Sequence, residues 1–266
     1  MMVIPKKRFG QHFLRDQNII RKIVDGAGVS KDDIVLEIGP GLGDMTSLLS
    51  QRAEHVIAVE LDRELCSILL EKFAESNVEV VNTDALKFGI GDLYKRVGRK
   101  IKVVANLPYN ISTPILFRLL EGKEYISSMT LMFQKEVADR LVAKPCTKDY
   151  GILSVYAQLY TVPSLLFKVS PYAFTPPPKV DSAVVRLEIL AEPSVKTDDE
   201  ELMLKVVKAA FGQRRKTLLN ALSSGLSLPK EDVEAALKRA EIDGSRRGET
   251  LTLSEFSALS NSVALI

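Results

Sequence analysis

Between residues 33 and 134, short apolar runs alternate with amphipathic stretches, and this alternation constrains the fold more than any other feature of the chain. Five runs are rich in β-branched residues and short enough to be strands; they cover residues 34–38, 56–60, 78–81, 101–105 and 129–133. Between the first three runs, residues 44–53 and 63–73 carry apolar side chains at helical spacing. Strands separated by helices predict a mostly parallel, doubly wound α/β sheet with right-handed strand-helix-strand units.

The pattern changes after Gln134. Two further β-rich runs, 161–169 and 183–189, are joined by a segment that contains Pro171 and the run Pro176-Pro177-Pro178. Because proline lacks a backbone N–H and fixes φ, this segment is expected to be a rigid extended loop rather than a helix. The two runs predict an antiparallel C-terminal hairpin strand at the end of the sheet.

Beyond Pro193 the β-rich signal disappears and helical patterns follow. They cover residues 202–211, 216–222, 232–240 and 254–265. We therefore predict a Rossmann-like α/β domain of residues 1–190 and a small all-α domain of residues 191–266. A length of 266 residues and a hydrophobic content of 46% are sufficient for one domain of moderate size and a smaller one.

Charge and cysteine content limit the other classes of protein. The chain carries 36 Lys and Arg against 34 Asp and Glu, so its net charge of +2 gives no global attraction to nucleic acid, and such binding must depend on local clusters. Cys66 and Cys146 are too few for a disulfide framework, and with His12 and His55 they lack the spacings of a zinc site. No apolar run suits a signal peptide or a membrane span. We expect a soluble, cytoplasmic protein without a metal.

Three of the predicted strands end in residues that suit a nucleoside ligand. The first leads into a glycine-rich turn, Gly39-Pro40-Gly41-Leu42-Gly43, where glycine lets the backbone take positive φ and approach a ligand closely. The second ends at Glu60, whose carboxylate can accept hydrogen bonds from both ribose hydroxyls. The third is followed by Asp84, which can accept from an adenine amino group. Because open α/β sheets bind ligands at the carboxyl ends of their strands, these residues predict one cofactor site.

A dinucleotide would use the same kind of turn and the same ribose acceptor. Its fingerprint spaces three glycines as G-x-G-x-x-G, so that a pyrophosphate can reach the N-terminus of the next helix. Here the spacing is G-x-G-x-G, and Asp44 at the start of the next helix would repel a phosphate. The sequence therefore favours a nucleoside cofactor without phosphates.

The fourth run leads into Asn106-Leu107-Pro108-Tyr109, at the same ligand-binding edge. An adenine amine is a poor nucleophile because its lone pair is delocalised into the ring, so it needs acceptors that hold its N–H bonds out of conjugation. The Asn106 side-chain oxygen and the Leu107 carbonyl can be these acceptors, on a backbone that Pro108 fixes. Tyr109 offers a flat face on which an extruded base can stack. The tetrapeptide therefore predicts chemistry on the amine of adenine.

Together with other segments, these motifs resemble those of the ribosomal RNA adenine dimethylases, the family that makes dimethyladenosines in small-subunit ribosomal RNA. The resemblance spans nearly the whole chain and is carried by residues 9–14 (FGQHFL), 37–43 (EIGPGLG), 59–62 (VELD), 106–112 (NLPYNIS), 134–137 (QKEV), 174–182 (FTPPPKVDS) and 211–216 (FGQRRK). It implies a Rossmann-like methyltransferase domain, S-adenosylmethionine as the cofactor, and dimethylation of the exocyclic amine of adenine, expected at two adjacent adenosines, during ribosome biogenesis.

The resemblance also implies which residues form the site. The cofactor pocket would be lined by His12, Leu14, Gly39, Gly41, Glu60, Leu61, Asp84, Ala85 and Asn106. Phe174 would face Tyr109, so that the adenine is held between two rings. The catalytic group would then consist of Asn106, Leu107, Pro108, Tyr109 and Phe174. Many members of the family carry Asn where this chain has His12, so the backbone contact of this residue is expected to persist, while a contact by its side chain stays open.

Two basic clusters are candidates for contact with RNA phosphates. They are Lys6, Lys7 and Arg8 near the N-terminus, and Arg214, Arg215 and Lys216 in the predicted helical domain. The expected partner is small-subunit ribosomal RNA or a pre-ribosomal small subunit, bound by a monomer.

Two other functions stay open. An antibiotic-resistance methylase that acts on an adenine of large-subunit RNA would share the fold and the motifs, although the proline loop and the cluster at 214–216 resemble the small-subunit group more. A non-catalytic RNA-binding or assembly factor of the same fold is a different class of protein. The intact glycine turn and Glu60 argue against it, and so do intact Asn106 and Tyr109.

Overall fold

The computed structural model describes residues 11–266, which form two compact units. The first unit contains the described residues up to Ala138 together with Val162–Ile189. The second contains Asp139–Thr161 together with Leu190–Ile266. The chain therefore passes between the two units three times.

The described residues contain nine strands. These are β1 (Phe13–Leu14), β2 (Ile34–Ile38), β3 (His55–Glu60), β4 (Val78–Asn82), β5 (Ile101–Asn106), β6 (Ile126–Gln134), β7 (Thr161–Val169), β8 (Phe174–Thr175) and β9 (Ser182–Ile189). Seven of them form one sheet in the order β4-β3-β2-β5-β6-β9-β7, and β1 pairs with β8 separately.

The same part of the chain contains eleven α-helices. These are α1 (Gln17–Ala27), α2 (Asp44–Arg52), α3 (Arg63–Lys72), α4 (Ile90–Val97), α5 (Ser112–Glu121), α6 (Lys135–Val142), α7 (Ile152–Tyr160), α8 (Glu200–Gly212), α9 (Leu218–Leu226), α10 (Lys230–Arg239) and α11 (Leu253–Val263).

The sheet has the predicted mixture of directions. Strand β2 pairs in parallel with β3 and β5, and the parallel pairs β3–β4 and β5–β6 extend it on either side. Strand β9 pairs antiparallel with β6, with Ser182 opposite Gln134. The prediction of a mostly parallel α/β sheet with an antiparallel C-terminal strand is confirmed. The start of β9 therefore lies at the edge where the parallel strands end.

Helix α1 is an element that the sequence patterns above do not predict. Asp16 caps its N-terminus by accepting hydrogen bonds from the N–H groups of Asn18 and Ile19, at 2.9 and 3.2 Å. Its buried residues, Ile20, Ile23, Val24 and Ala27, follow the helical period and join a core cluster with residues of β2, β5, β6 and β9. This packing fixes the segment that precedes α1, which carries His12 and Leu14 towards the ligand-binding edge of the sheet.

The second unit is built from helices around an aromatic core. Phe211 of α8 contacts both Tyr150 and Phe256, with ring centroids 5.9 Å apart in each pair. The hydroxyl of Tyr160 donates to Glu200 at 2.9 Å. Tyr150 and Tyr160 lie in the segment 139–161 and contact residues of the C-terminal helices, so this segment groups with those helices. The unit is therefore larger than the predicted domain of residues 191–266.

Candidate active site

A cavity of about 280 Å³ opens at the carboxyl ends of the parallel strands in the first unit. Its walls come from the turn after β2, the ends of β3 and β5, the residues after β4 and the segment 11–14. All the residues expected to bind a cofactor line it: His12, Leu14, Gly39, Gly41, Glu60, Leu61, Asp84, Ala85 and Asn106. The structure thus brings together residues that are up to 94 positions apart in the chain.

The glycine turn after β2 depends on backbone conformations that favour glycine. Gly39, Gly41 and Gly43 have φ of 68°, 58° and 76°. A Cβ on Gly41 would lie 3.0 Å from the Phe13 ring, and one on Gly43 would lie 2.8 Å from both Leu69 and Phe73. The turn therefore packs closely on both sides while its backbone faces the cavity.

Lys72 of α3 holds the far side of the same turn. Its Nζ donates to the carbonyl oxygens of Leu42 and Gly43, at 3.0 and 3.1 Å. Sequence reasoning did not identify this residue as part of the site, because nothing in the local pattern connects a lysine on α3 to a turn about thirty positions earlier.

Glu60, at the end of β3, is oriented by two backbone groups. Its carboxylate accepts hydrogen bonds from the N–H groups of Asp62 at 2.9 Å and Gly41 at 3.3 Å. Only 7% of the residue is exposed, and this burial raises the pKa of its carboxyl above the usual value. The glycine turn and the acidic strand end are thus directly linked.

Asp84 follows β4 at the same edge. Its Oδ1 accepts from the N–H of Leu86 at 3.0 Å, which fixes the side chain beside the cavity wall formed by Thr83 and Ala85. Glu60 ends β3 and Asp84 follows β4, and these two strands are neighbours in the sheet.

Glu37, within β2, lines the cavity but has a different environment. The residue is 1% exposed, and neither of its carboxylate oxygens has a hydrogen-bond partner. Burial, together with the negative charge of Glu60, raises the pKa of the Glu37 carboxyl to about 8. Sequence reasoning assigned no role to Glu37, although an acidic residue inside an apolar strand is an available signal.

The tetrapeptide at the end of β5 forms a continuous part of the cavity wall. The Nδ2 of Asn106 donates to the carbonyl of His12 at 3.3 Å, which ties the amide to the segment before β1. Leu107 is 1% exposed, and the Pro108 carbonyl accepts from the N–H of Ile111 at 3.1 Å. These contacts define a tight turn between β5 and α5 that presents the tetrapeptide to the cavity.

Tyr109 is held through its hydroxyl and its ring. The hydroxyl lies 2.5 Å from Oγ of Ser182 at the start of β9. Its ring is stacked with that of His12, and the Nδ1–H of His12 donates to the Pro176 carbonyl at 2.8 Å. Burial raises the pKa of the Tyr109 hydroxyl, so it is protonated near neutral pH.

Phe174 lies elsewhere than expected. It is 3% exposed, pairs with Leu14 across β1 and β8, and belongs to the apolar core beneath α1. Among the described residues, those that line the cavity do not include it, and the ring stacked on Tyr109 is that of His12. The reason is that the β1–β8 pairing directs this apolar ring into the core.

Only one of the two predicted basic clusters lies within the residues that the structure describes. Lys6, Lys7 and Arg8 lie outside the described residues. Arg214, Arg215 and Lys216 follow α8 in the second unit and are exposed. Arg214 donates to the Lys148 carbonyl at 2.8 Å and lies 3.4 Å from the Glu249 carboxylate.

Two further properties concern residues 11–266. No group of three or more His, Cys, Asp or Glu side chains in this range has the arrangement of a metal site. No helix in the same range has both the length and the apolar character needed to cross a membrane.

A cavity at the carboxyl edge of this sheet, with a glycine turn, Glu60 and an Asn-Leu-Pro-Tyr strand end, defines the chain as a Rossmann-like methyltransferase. A family model described as ribosomal RNA adenine dimethylase matches residues 4–264. The chain belongs to this family. The predictions that the chain belongs to this family and that it is an rRNA adenine dimethyltransferase are confirmed.

Curated relatives cover almost the whole chain. The Ribosomal RNA small subunit methyltransferase A of Alkaliphilus metalliredigens (strain QYMF) is 51% identical over 262 residues, which are 97% of this chain and 91% of the relative. The protein of the same name from Clostridium perfringens (strain SM101 / Type A) is 47% identical over 260 residues, which are 97% and 90% of the two chains.

Two solved structures share the fold along nearly their full length. A dimethyladenosine transferase from Plasmodium falciparum gives a TM-score of 0.78 at 27% identity, and the match covers 93% of this chain and 96% of that one. The 23S rRNA methyltransferase ErmE gives a TM-score of 0.71 at 31% identity, with 95% and 99% covered. The predicted fold class is confirmed.

Proposed function

We propose that this chain transfers methyl groups from S-adenosylmethionine to the exocyclic amines of adenines in small-subunit ribosomal RNA, by dimethylation of two adjacent adenosines. The observation that supports it most is the position of Asn106 and Tyr109 in the wall of a cavity that also contains Gly41 and Glu60. The names and identities of the curated relatives support the small subunit as the source of the substrate.

The residues in the cavity fit a nucleoside with a charged amino acid tail. Glu60 is prealigned by two backbone N–H groups and is available to the ribose, and Asp84 is available to the adenine amine of the cofactor. Gly39 and Gly41 leave room for close approach of the backbone, since neither carries a Cβ. His12, Leu14, Leu61, Ala85 and Asn106 would complete the pocket. Glu37 lines the same cavity, and because its pKa is raised to about 8 its carboxyl is protonated near neutral pH.

When bound, S-adenosylmethionine supplies an activated methyl group for in-line displacement by the adenine amine. The Asn106 side-chain oxygen and the Leu107 carbonyl accept hydrogen bonds from the N–H groups of that amine, and this geometry holds its lone pair out of conjugation with the ring. Pro108 fixes the backbone of these acceptors. Most of the catalysis is then positioning, because the residues bring the amine and the methyl group together in one geometry.

The target base would stack on Tyr109. His12 lies against the same ring in the structure, so we propose that His12, rather than Phe174 alone, limits the space next to Tyr109. Phe174 contributes to catalysis by supporting β1 from the core, and its direct contact with the base would require its ring to leave that core.

Outside the cavity, we propose that RNA phosphates contact Lys6, Lys7 and Arg8, and separately Arg214, Arg215 and Lys216. Exposure of the second cluster supports this role. The partner would be a pre-ribosomal small subunit, and the enzyme would act as a cytoplasmic monomer.

Similarity to ErmE supports a second candidate function, because ErmE is a 23S rRNA methyltransferase and shares 31% identity with this chain. Incorporation of labelled methyl groups into isolated unmethylated small subunits, large subunits and naked RNA separates the two. We expect transfer to small subunits. Preference for large subunits would overturn the assignment, and binding without transfer would indicate an assembly factor.

A further inference from the structure

Tyr172 is the most exposed large hydrophobic or aromatic side chain among residues 11–266, with 93% of its surface accessible. It lies in a 3-10 turn, Pro171–Ala173, between β7 and β8. An aromatic ring in this position loses contact with the core, so its exposure needs an explanation from the surroundings.

The segment that carries Tyr172 lies at the catalytic edge of the sheet. It leads to Ser182, which is opposite Gln134 at the carboxyl end of β6 and bonds to the hydroxyl of Tyr109. Between them, the Pro176 carbonyl accepts the hydrogen bond from His12. The loop that presents Tyr172 is therefore the same loop that orients two residues of the cavity.

The backbone around Tyr172 is fixed although its ring is exposed. The carbonyl of the next residue, Ala173, accepts from the N–H groups of Arg15 at 2.9 Å and Asp16 at 3.3 Å. The Ser170 carbonyl accepts from the Ala173 N–H at 3.1 Å, and Phe174 pairs with Leu14. A ring on such a backbone loses little conformational freedom when it binds a partner.

Cationic residues occur on the segments that adjoin Tyr172 in the chain and in backbone hydrogen bonding. Arg15, whose backbone binds next to Tyr172, has 51% of its side chain exposed and makes an ion pair with Asp44 at 3.4 Å. Lys168 and Lys179, which precede and follow the turn in the chain, are exposed as well. An exposed aromatic ring on a segment that also carries exposed cationic residues matches the way proteins bind unpaired nucleotides, by stacking and by phosphate contact.

We propose that Tyr172 stacks on an unpaired RNA base close to the adenosine that is methylated. This proposal rests on the proposed function and adds a binding site outside the cofactor cavity. The site holds the RNA strand at the entrance while the target base occupies the position next to Tyr109. It recognises a base by its flat face and therefore tolerates different sequences.

The test compares three variants, Tyr172→Ala, Tyr172→Leu and Tyr172→Trp. Leucine keeps an apolar side chain without a flat ring, whereas tryptophan keeps the ring. Leu70→Ala on α3 is the matched control, since Leu70 is also an exposed apolar residue, at 56%. Filter binding gives the Kd for the RNA, steady-state methyl transfer gives KM and kcat, and titration with S-adenosylhomocysteine reports an intact cofactor site.

We expect Tyr172→Ala and Tyr172→Leu to raise the Kd and KM for RNA by about fivefold or more, with kcat and S-adenosylhomocysteine binding unchanged. Tyr172→Trp and Leu70→Ala should behave like the unchanged chain. The slope of log Kd against log salt should also stay constant, because no phosphate contact is removed.

The proposal is overturned if Tyr172→Ala binds RNA normally, or if Tyr172→Leu binds as well as the unchanged chain. The second result would show that an apolar side chain without a flat ring is sufficient, which excludes stacking. Binding is measured on whichever ribosomal RNA the unchanged chain prefers. A large-subunit preference therefore refutes the proposed function without deciding the role of Tyr172.

Discussion

The rings of His12 and Tyr109 lie nearly parallel, with centroids 5.7 Å apart and planes inclined by 25°. One loop holds both, since His12 binds the Pro176 carbonyl and Tyr109 binds the Ser182 hydroxyl. The geometry of this pair is therefore set from outside the tetrapeptide, by the segment between β8 and β9.

Removal of the tyrosine hydroxyl tests this dependence. Tyr109→Phe keeps the ring but leaves the buried hydroxyl of Ser182 without this partner, and we expect kcat/KM to fall by about fivefold, equivalent to about 1 kcal/mol. Tyr109→Ala also removes the stacking face. We expect kcat/KM to fall at least another tenfold, because stacking of a base on an aromatic ring contributes about 1 to 3 kcal/mol. Tyr94→Phe on α4, whose ring lies beside that of Tyr125, is the control. Equal activity of Tyr109→Ala and Tyr109→Phe would contradict the stacking role.

Asn106→Ala separates catalysis from cofactor binding. The change removes a proposed acceptor of the target amine, so we expect turnover to fall by about 100-fold or more, as for the loss of an aligned transition-state hydrogen bond. Binding of S-adenosylhomocysteine, measured by calorimetry, should be retained in part. Asn106→Asp keeps an acceptor but loses the donor to the His12 carbonyl, and should be intermediate. Near-normal turnover of Asn106→Ala would show that the acceptor role is incorrect.

Glu37 makes stability depend on pH. Its pKa is raised from 4.5 to about 8 in the folded chain, so the folded state holds a proton that the unfolded state releases at lower pH. The stability associated with the protonated group is fully present below pH 4.5 and is lost as the pH rises towards 8.

Thermal unfolding of Glu37→Gln checks this sign. The variant should have a similar Tm to the unchanged chain near pH 4.5 and a higher Tm above pH 8, because glutamine carries no charge in the same buried position. Glu75→Gln, at an exposed position after α3, serves as the control. A difference in Tm that does not change with pH would be inconsistent with a buried titrating carboxyl.

Lys72→Met tests whether the glycine turn needs support from α3. Loss of two hydrogen bonds to the Leu42 and Gly43 carbonyls should loosen the turn and raise the Kd for S-adenosylhomocysteine by about fivefold. Lys72→Arg should lose less, since arginine keeps donors at this position. Lys95→Met, at an exposed residue of α4, is the matched control. Unchanged affinity of Lys72→Met would mean that the turn is held by glycine conformation and packing alone.

The strand ends were accessible to sequence reasoning because each signal is local. The β-branched runs predict the strands, and in a parallel sheet their carboxyl ends meet, which is sufficient to bring Gly39, Glu60 and Asn106 into one cavity. The antiparallel β9 could also be predicted, because two β-rich runs joined by a proline-containing loop indicate a hairpin.

Contacts between distant segments could not be predicted in the same way. The donation from Lys72 to the turn and the stacking of His12 on Tyr109 depend on how helices and loops pack, which no periodicity encodes. Phe174 illustrates the same limit. Its motif places it close to the site in sequence, but the pairing of β1 with β8 determines that its ring faces the core. The segment 139–161 joins the second unit through aromatic contacts with residues about sixty positions away.

The threefold passage of the chain between the two units limits how such a protein can be altered over evolutionary time. A single recombination event at residue 190 would replace the C-terminal helices but leave Tyr150 and Tyr160 with foreign partners. Exchange of the whole helical unit requires breakpoints at all three passages. A replacement of residues 190–266 alone would therefore separate parts of one helical core.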